Sequence, residues 1–364
     1  MYKQIITLMI SALVWTMNPA VAMEDQEHQG SARKAHTWNF LTAGDKIEII
    51  APGAAPLSTE QVEGAKNLIR LHDLESYLPE GAIRQQDSLY GYYANTTEMR
   101  THYFKEALLG DSKALWALRG GFGCEGVVDM LEDQAFVPHH QRKPVLGSSD
   151  VTSFHLLYAQ WKRPSLHAPV LGFGQELYSV TKSGVNKNAS LSAVIDVLKG
   201  DVKQFEYNFD IIHTGGLEGP LRGSVLGGNL SILESHKGTK TAIQGKNRFV
   251  FFEDTAEDGK RLHRRLVGLA SAGVFDEAEG IIIGNLPLIG HETEPEETKK
   301  IIQHFITESL LPKDINIPVV YSPRFGHGAH NDVMPFGTTA SLILGEEKAI
   351  LKVSVNESAY PLEE

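Results

Sequence analysis

The 364-residue chain contains a single cysteine, Cys124, so no disulfide can form within it. Positive charge is also scarce, because 34 basic residues face 45 acidic ones and the formal net charge is −11. This balance argues against a nucleic-acid partner, since such proteins carry basic surfaces that neutralise phosphates. After the N-terminal segment no stretch is apolar enough to span a bilayer. We therefore expect no stable membrane insertion of the mature protein.

Metal and nucleotide motifs are missing as well. There is no H-E-x-x-H and no other set of His, Asp and Glu at zinc-binding spacing. Gly120-Gly121 and Gly227-Gly228 could each approach a phosphate, but neither completes a dinucleotide-binding or P-loop fingerprint. We predict no cofactor and no metal. His330 follows His327 by three residues, so a metal pair formed by these two histidines is one alternative.

The first 22 residues are predicted to be a secretory signal peptide. Lys3 provides a positive start, Ile5 to Trp15 is a short apolar run, and Pro19-Ala20-Val21-Ala22 provides a small-residue cleavage site. The alternative is an N-terminal membrane anchor. Residues 23–40 are polar and aperiodic, which predicts a flexible leader. A signal peptide places the mature protein in the periplasm or outside the cell.

The remaining pattern predicts two α/β domains. Residues 41–171 alternate strand and helix signals, which is typical of a parallel sheet covered by helices on both faces. Residues 172–188 are rich in Gly, Ser, Lys and Asn and are predicted to be a linker. Residues 189–356 carry more strand signals and form the second domain. Sites in parallel sheets form at the carboxyl ends of the strands.

Three short segments follow apolar runs that are typical of strands: Gly147-Ser148-Ser149-Asp150, Phe251-Phe252-Glu253-Asp254 and Phe325-Gly326-His327. They supply a hydroxyl, a carboxylate and an imidazole from distant parts of the chain. Such a set can perform acyl transfer without metal or cofactor. Each segment also has a structural interpretation. The carboxylates could cap a turn or bind a metal, and the histidine loop could be an ordinary surface loop.

Ser149 is the foremost candidate nucleophile. A strand, a tight turn and a helix surround it, as in the nucleophile elbow, although Val151 stands where that motif has its second glycine. A serine before a helix is more commonly an N-cap, and Ser148 could fill either role. Cys124 opens another predicted helix, where a thiol pKa falls, so it is a second candidate nucleophile, although a small residue that fills a turn is the commoner role.

Taken together, these segments resemble the LD-carboxypeptidase family of serine peptidases, the muramoyltetrapeptide carboxypeptidases. The similarity runs from about residue 49 to about residue 353, with the matching pieces in the family's order. These pieces are Ala51-Pro52-Gly53, the loop from Leu118 to Gly123, Gly147 to Thr152, Gly227 to Leu230, Phe252-Glu253-Asp254 with Arg261 and Arg264 downstream, and Phe325-Gly326-His327 with Pro335-Phe336-Gly337.

The resemblance implies that Ser149 is the nucleophile, His327 its general base and Glu253 the residue that orients the histidine. The backbone N–H groups of Gly121 and Asp150 would form the oxyanion hole. It further implies a flavodoxin-like N-terminal domain and a C-terminal α/β domain with more strand content. The active site would then lie in the cleft between the two domains.

The implied substrates are murein stem peptides, cleaved at the L,D-amide before the terminal D-alanine, and a homodimer is also implied. Arg119, Arg261 and Arg264 are candidates for binding the terminal carboxylate. Cys124-Glu125-Gly126 departs from the family, which usually carries an arginine there. One alternative is an immunity peptidase that cleaves peptide–nucleotide antibiotics, with Trp116, Phe122 and Tyr178 as candidate base-stacking residues. The other is an exported peptide-binding protein without catalysis.

We predict that the mature protein begins at or near Met23 and is exported. The small-residue site that ends at Ala22 is the physical reason, because signal peptidase accepts such residues beside the cut. Cell fractionation with N-terminal sequencing measures this. Full-length protein in the cytosol with Met1 retained would contradict it.

Overall fold

The computed structural model describes residues 38–138, 142–172, 189–217, 219–255, 257–290, 295–328 and 330–360. The predicted signal peptide lies outside this described part, as does the predicted leader up to residue 37. The predicted linker also lies outside it from residue 173 onward. Within the described ranges no helix is both long enough and apolar enough to cross a membrane.

The first sheet has six strands in the order β11-β5-β4-β3-β1-β2. Its members are β1 (Lys46–Ile50), β2 (Glu75–Tyr77), β3 (Ala114–Ala117), β4 (Val145–Gly147), β5 (Ser165–His167) and β11 (Met334–Phe336). The strands β1 to β5 pair in parallel, whereas β11 pairs antiparallel with β5. Every residue of β3, β4 and β5 is buried, as expected for parallel strands covered on both faces.

Four helices belong to this half of the chain: α1 (Thr59–Arg70), α2 (Thr97–Leu109), α3 (Cys124–Asp133) and α4 (Thr152–Gln160). The sequence Ser58-x-x-Gln61 is a capping-box pattern that predicts the start of α1, and the Ser58 hydroxyl accepts the Gln61 N–H at 3.4 Å. The three-residue turn Ser149–Val151 joins β4 to α4. This turn places Ser149 at the carboxyl end of a central strand, where sites form in parallel sheets.

The second sheet closes on itself in the order β10-β6-β13-β12-β7-β8-β9. Its strands are β6 (Gln204–His213), β7 (Pro220–Asn229), β8 (Arg248–Glu253), β9 (Gly280–Ile283), β10 (Val319–Tyr321), β12 (Thr338–Leu344) and β13 (Lys348–Ser358). The strand β10 closes the ring, because it pairs with β6 on one side and β9 on the other. The chain between β5 and β10 also forms α5 (Ala189–Lys199), α6 (Leu230–Ser235), α7 (Gly259–Ser271) and α8 (Pro295–Phe305).

The predicted fold class is confirmed: a mixed α/β chain with one mainly parallel sheet and a second, strand-rich sheet. The sequence pattern did not predict β2, β5, β7 or β11, and β2 and β5 are only three residues long. The strand β7 contains Gly223, Gly227 and Gly228, which weaken a strand signal, and β11 is only three residues long with a proline at its centre.

Later parts of the chain also complete the first sheet's core. In α5, which follows the predicted linker, Leu191, Val194 and Leu198 belong to the same apolar cluster as Ile47 of β1 and Leu68 of α1. The strand β11 adds the sheet's edge. The domain ranges 41–171 and 189–356 stay a prediction.

The two sheets are joined at the first turn of α4. The buried Thr152 hydroxyl accepts the Asn229 N–H at the end of β7 with a separation of 2.8 Å. Gly228 lies against the same side chain, since a Cβ added there would sit 2.7 Å from the Thr152 methyl. One residue later, the Ser153 hydroxyl contacts the His236 ring at 3.0 Å. The helix that follows Ser149 is therefore held directly against the second sheet.

We expect Thr152→Val to lower the free energy of unfolding by about 1–3 kcal/mol, because the buried Asn229 N–H loses its acceptor. Urea unfolding at constant pH measures the change. Thr152→Ser is the matched control, since it keeps the hydroxyl and loses one methyl, worth about 1 kcal/mol. A smaller loss for valine than for serine would contradict the role given to this hydrogen bond.

Candidate active site

Ser149 sits on a sharp strand–turn–helix junction. Its φ of 61° lies in the left-handed region, which costs a residue with a side chain about 1–3 kcal/mol. Gly147, with φ of 155°, leaves no room for a side chain, because a Cβ there would lie 2.7 Å from a Val151 methyl. The turn therefore has the strained geometry of a nucleophile elbow, with Val151 packed into the place of its second glycine. Ser148 forms no side-chain cap, so the N-cap interpretation of Ser148 is wrong.

Two glycine-containing loops converge on this turn. A Cβ on Gly120 would lie 2.8 Å from Ser149 Cβ and 3.1 Å from its hydroxyl oxygen. A Cβ on Gly53 would meet the Asp150 carboxylate at 2.6 Å and the Gly120 carbonyl at 2.7 Å. Within the described part of the chain, the backbone N–H groups of Gly121 and Asp150 have no hydrogen-bond partner. Both groups are thus available as donors next to Ser149.

Asp150 and Cys124 lie beneath the turn. The fully buried Asp150 carboxylate accepts the Cys124 N–H at 2.9 Å, and burial raises the pKa of this carboxyl above its ordinary value. Burial also raises the pKa of the Cys124 thiol well above its ordinary value, with the charge of Asp150 acting in the same direction. A buried, protonated thiol is a poor nucleophile. The alternative in which Cys124 attacks the substrate is therefore wrong.

His327 is held by Glu253. The imidazole Nδ1 lies 2.7 Å from Glu253 Oε2, and Glu253, the last residue of β8, is fully buried. Because a carboxylate only accepts, Nδ1 carries the proton and Nε2 is left to act as a base. Gly326 (φ 107°) and Gly284 let the loop approach, since a Cβ on Gly284 would lie 2.9 Å from Glu253 Cβ.

The pKa of His327 is raised above its ordinary value of 6.5. Burial acts to lower this pKa, but the charge of Glu253 and its hydrogen bond outweigh burial, and Asp254 adds to the effect. The carboxylate thus stabilises the imidazolium form. This is the property required of a base that must hold a proton during the reaction.

The neighbouring carboxylate has a structural role. Asp254 accepts the Ser231 N–H at 2.9 Å, the Ser231 hydroxyl at 2.6 Å and the Asn229 amide at 2.9 Å. It thereby satisfies donors at the start of α6. The predicted capping role of the Glu253-Asp254 pair therefore belongs to Asp254, whereas Glu253 contacts His327.

Ser149 and His327 line one cavity of about 220 Å³. The other lining residues are Arg119, Gly120, Gly121, Ser148, Val170, Gly172, Gly326 and Asn331. A partly exposed hydroxyl, an imidazole oriented by a buried carboxylate, and the free N–H donor of Gly121 are thus brought to the same space. These are the components of acyl transfer.

Of the three candidate arginines, Arg119 alone lines this cavity. It also donates to the Ala55 carbonyl at 2.5 Å, which fixes the direction of its side chain. Arg261 and Arg264 are exposed on α7, and Arg261 pairs with Asp258 at 2.9 Å.

The segment Cys124-Glu125-Gly126, where the sequence departs from the family that it resembles, begins α3. Glu125 is in the first turn of α3 and lines a separate cavity of about 480 Å³, together with Phe122, Arg100 and Asp129. It does not line the cavity that contains Ser149.

His330 is exposed, and among the described residues no third side chain is placed to complete a metal site with His327 and His330. Among the described residues, no group of three or more His, Cys, Asp or Glu is placed to hold a metal ion.

Three buried polar residues near the site were missed by the sequence analysis: Asn331, His155 and His167. His155 contacts the Gly147 carbonyl at 3.0 Å and the Ser165 hydroxyl at 2.8 Å, and burial lowers its pKa to about 4. Burial, together with repulsion from His155 and His327, lowers the pKa of His167 well below its ordinary value. For His155 and His167 the one available signal was a polar residue inside an apolar segment, which does not distinguish a buried structural residue from an exposed one. Asn331 lies in a polar segment and gave no signal.

Comparison with known proteins identifies relatives of this chain. The chain matches the LD-carboxypeptidase N-terminal domain over residues 47–168 and the LD-carboxypeptidase C-terminal domain over residues 222–342. The murein tetrapeptide carboxypeptidase of Pseudomonas aeruginosa is 26% identical over 309 residues, which cover 84% of this chain and 95% of that protein.

Solved structures share the fold. The crystal structure of muramoyltetrapeptide carboxypeptidase from Oxalobacter formigenes superposes with a TM-score of 0.67 at 21% identity, covering 85% of this chain and 98% of that one. The microcin self-immunity protein MccF superposes with a TM-score of 0.65 at 16% identity, covering 88% and 99%. At these identities the likeness concerns the fold alone.

We expect His327 to titrate above pH 6.5, and Glu253→Gln to lower its pKa, because a neutral amide cannot stabilise the imidazolium charge. NMR titration of the histidine ring protons measures both values. His155 is the internal reference, since its pKa of about 4 keeps it neutral over the same range. An unchanged His327 pKa in the variant would show that Glu253 does not govern this imidazole.

Proposed function

Because the chain belongs to the LD-carboxypeptidase family, we propose that it hydrolyses the amide before the terminal D-alanine of murein tetrapeptides and releases tripeptides. The observation that carries this proposal is the 2.7 Å contact between His327 and buried Glu253 at the edge of the cavity that Ser149 lines. The match to both LD-carboxypeptidase domains and the Pseudomonas relative support the substrate class.

The first half of the reaction forms an acyl-enzyme. The Ser149 oxygen attacks the carbonyl carbon of the scissile amide while His327 Nε2 accepts the hydroxyl proton. The oxygen of the tetrahedral intermediate accepts hydrogen bonds from the N–H groups of Gly121 and Asp150, and each such donor is worth about 3–4 kcal/mol in comparable enzymes. The imidazolium then donates its proton to the departing amine of D-alanine.

The second half releases the tripeptide. A water molecule gives a proton to His327 and attacks the acyl carbon, and the Ser149 oxygen leaves with that proton. Glu253 keeps Nδ1 protonated and stabilises the imidazolium at both stages.

Arg119 is our proposed partner for the terminal carboxylate of the substrate. A carboxypeptidase must recognise a free chain end, and a guanidinium pairs well with a carboxylate. Arg119 lines the cavity beside Ser149, and its contact with the Ala55 carbonyl orients it.

The immunity-peptidase alternative is less well supported. The fold is shared with MccF, but Trp116, a candidate for stacking a base, is fully buried in β3 and donates to the Pro169 carbonyl at 2.9 Å. Phe122 is half exposed, and Tyr178 lies outside the described residues. A peptide-binding protein without catalysis would have no need for the buried carboxylate behind His327.

We further propose that the protein acts outside the cytoplasm, where it would meet the stem peptides of the wall directly. This follows from the predicted signal peptide. The homodimer implied by the family resemblance also stays a prediction.

We expect Ser149→Ala to lower release of D-alanine from a murein tetrapeptide by about 10⁴- to 10⁶-fold, because no other group can form the acyl-enzyme. Mass spectrometry of the products measures turnover, and circular dichroism verifies the fold. Labelling by a fluorophosphonate, which reacts with activated serines, should disappear in the same variant.

Ser148→Ala is the matched control, because it deletes the same atom one position earlier. It should still be labelled at Ser149, although more slowly than wild type, because the Ser148 hydroxyl is the acceptor of a buried hydrogen bond from Asn331. An active Ser149→Ala protein beside a dead Ser148→Ala protein would assign the nucleophile to Ser148. A labelled wild-type protein that releases no D-alanine would keep the serine chemistry and reject the substrate.

A further inference from the structure

Asn331 is a buried side chain that contacts both halves of the proposed catalytic set. It follows the His327 loop, precedes β11 and is 1% exposed. Its amide nitrogen donates to the Ser148 hydroxyl at 3.2 Å, and its amide oxygen accepts the Gly326 N–H at 3.0 Å.

Both contacts are one residue away from a reacting group. Ser148 directly precedes Ser149, and Gly326 directly precedes His327. Ser148 and Gly326 are themselves buried, so neither contact is open to solvent. One rigid amide thus connects the backbone turn that holds the nucleophile with the loop that holds the base, although Ser148 and Asn331 are 183 positions apart in the sequence.

An amide suits this bridge because it carries a donor and an acceptor in one plane. Its geometry fixes the distance between the two groups that it joins. Both contacts lie in a buried setting, where losing one leaves an unpaired polar group. The attacking oxygen and its base must in turn be placed closely, since a displacement of about 1 Å can cost on the order of 100-fold in rate.

We propose that Asn331 is a positioning residue that sets the separation between the Ser149 oxygen and the His327 imidazole. This rests on the proposed function in that Ser149 and His327 are the reacting pair. Asn331 lines the cavity, but its amide is engaged by Ser148 and Gly326, and it acts through these two residues. Its loss therefore affects reactivity and leaves substrate affinity largely intact.

The first test compares Asn331→Ala with wild type in two assays. We expect kcat for D-alanine release to fall about 10- to 100-fold with KM within about twofold. The rate constant for fluorophosphonate labelling of Ser149 should fall by a similar factor. Asn356→Ala is the matched control, because Asn356 is also buried and donates to the Trp38 carbonyl at 3.3 Å away from the site. We expect both rates to be unchanged in that variant.

The second test is a double-mutant cycle with Ser148→Ala, read by the labelling rate. Both single variants break the same hydrogen bond, so the double variant should be no slower than the slower single variant. If the fold-losses in labelling rate of the two single variants multiplied in the double variant, the proposal would be overturned. A wild-type labelling rate in folded Asn331→Ala would also overturn it. If Asn331→Ala does not fold, Ser148→Ala carries the test alone, and a wild-type labelling rate in it overturns the proposal.

The labelling assay separates this inference from the substrate assignment. Fluorophosphonate reports on Ser149 and His327 and contains no peptide. If wild type releases no D-alanine but the labelling cycle behaves as expected, the substrate is wrong and the role of Asn331 stands.

Discussion

The close contact between the first turn of α4 and the end of β7 is the constraint on which the site depends. Thr152 accepts the Asn229 N–H, and Gly228 leaves space for the Thr152 side chain. Asn229 is in turn the register partner of Glu253 on the neighbouring strand. A single short contact therefore fixes the helix that follows Ser149 relative to the carboxylate that orients His327. The Ser153–His236 contact and the pairing of β11 with β5 connect the same two halves of the structure and support this placement.

Glycine residues allow the backbone segments around Ser149 and Glu253 to approach one another closely. Gly120 packs against Ser149, and Gly326 and Gly284 surround Glu253. In each case even a single methyl group would force the chain apart. Next to Gly120, the N–H of Gly121 has no hydrogen-bond partner within the described part of the chain, so a loop with few side chains can supply a donor for a developing oxyanion. The glycines in these motifs are thus explained by the lack of room for a side chain as much as by the conformation of the turn.

Two largely buried histidines near the turn illustrate how environment selects a role. Burial acts to lower the pKa of both, and in His155 it prevails because the ring contacts only neutral groups, the Gly147 carbonyl and the Ser165 hydroxyl. In His327 the opposing charge of Glu253 prevails and the pKa rises. His155 therefore remains a neutral support of the strand, whereas His327 can take up a proton and hold it. The difference arises from the neighbouring carboxylates, chiefly Glu253, and not from the ring itself.

The sequence by itself determined the local elements and the candidate groups. Alternating strand and helix patterns predicted the α/β class, Ser58 with Gln61 predicted the start of α1, and polar residues after apolar runs marked Ser149, Glu253 and His327. These features depend on neighbouring residues, so periodicity and turn chemistry are enough to reveal them.

Only the tertiary structure decided which of those groups meet. It excluded Cys124 by burial and left Arg119 as the arginine at the cavity. It also placed β11 on the edge of the first sheet and made Asn331 a bridge to Ser148. Such contacts join residues that are far apart in sequence. Their existence depends on how the two sheets pack, which no local pattern encodes.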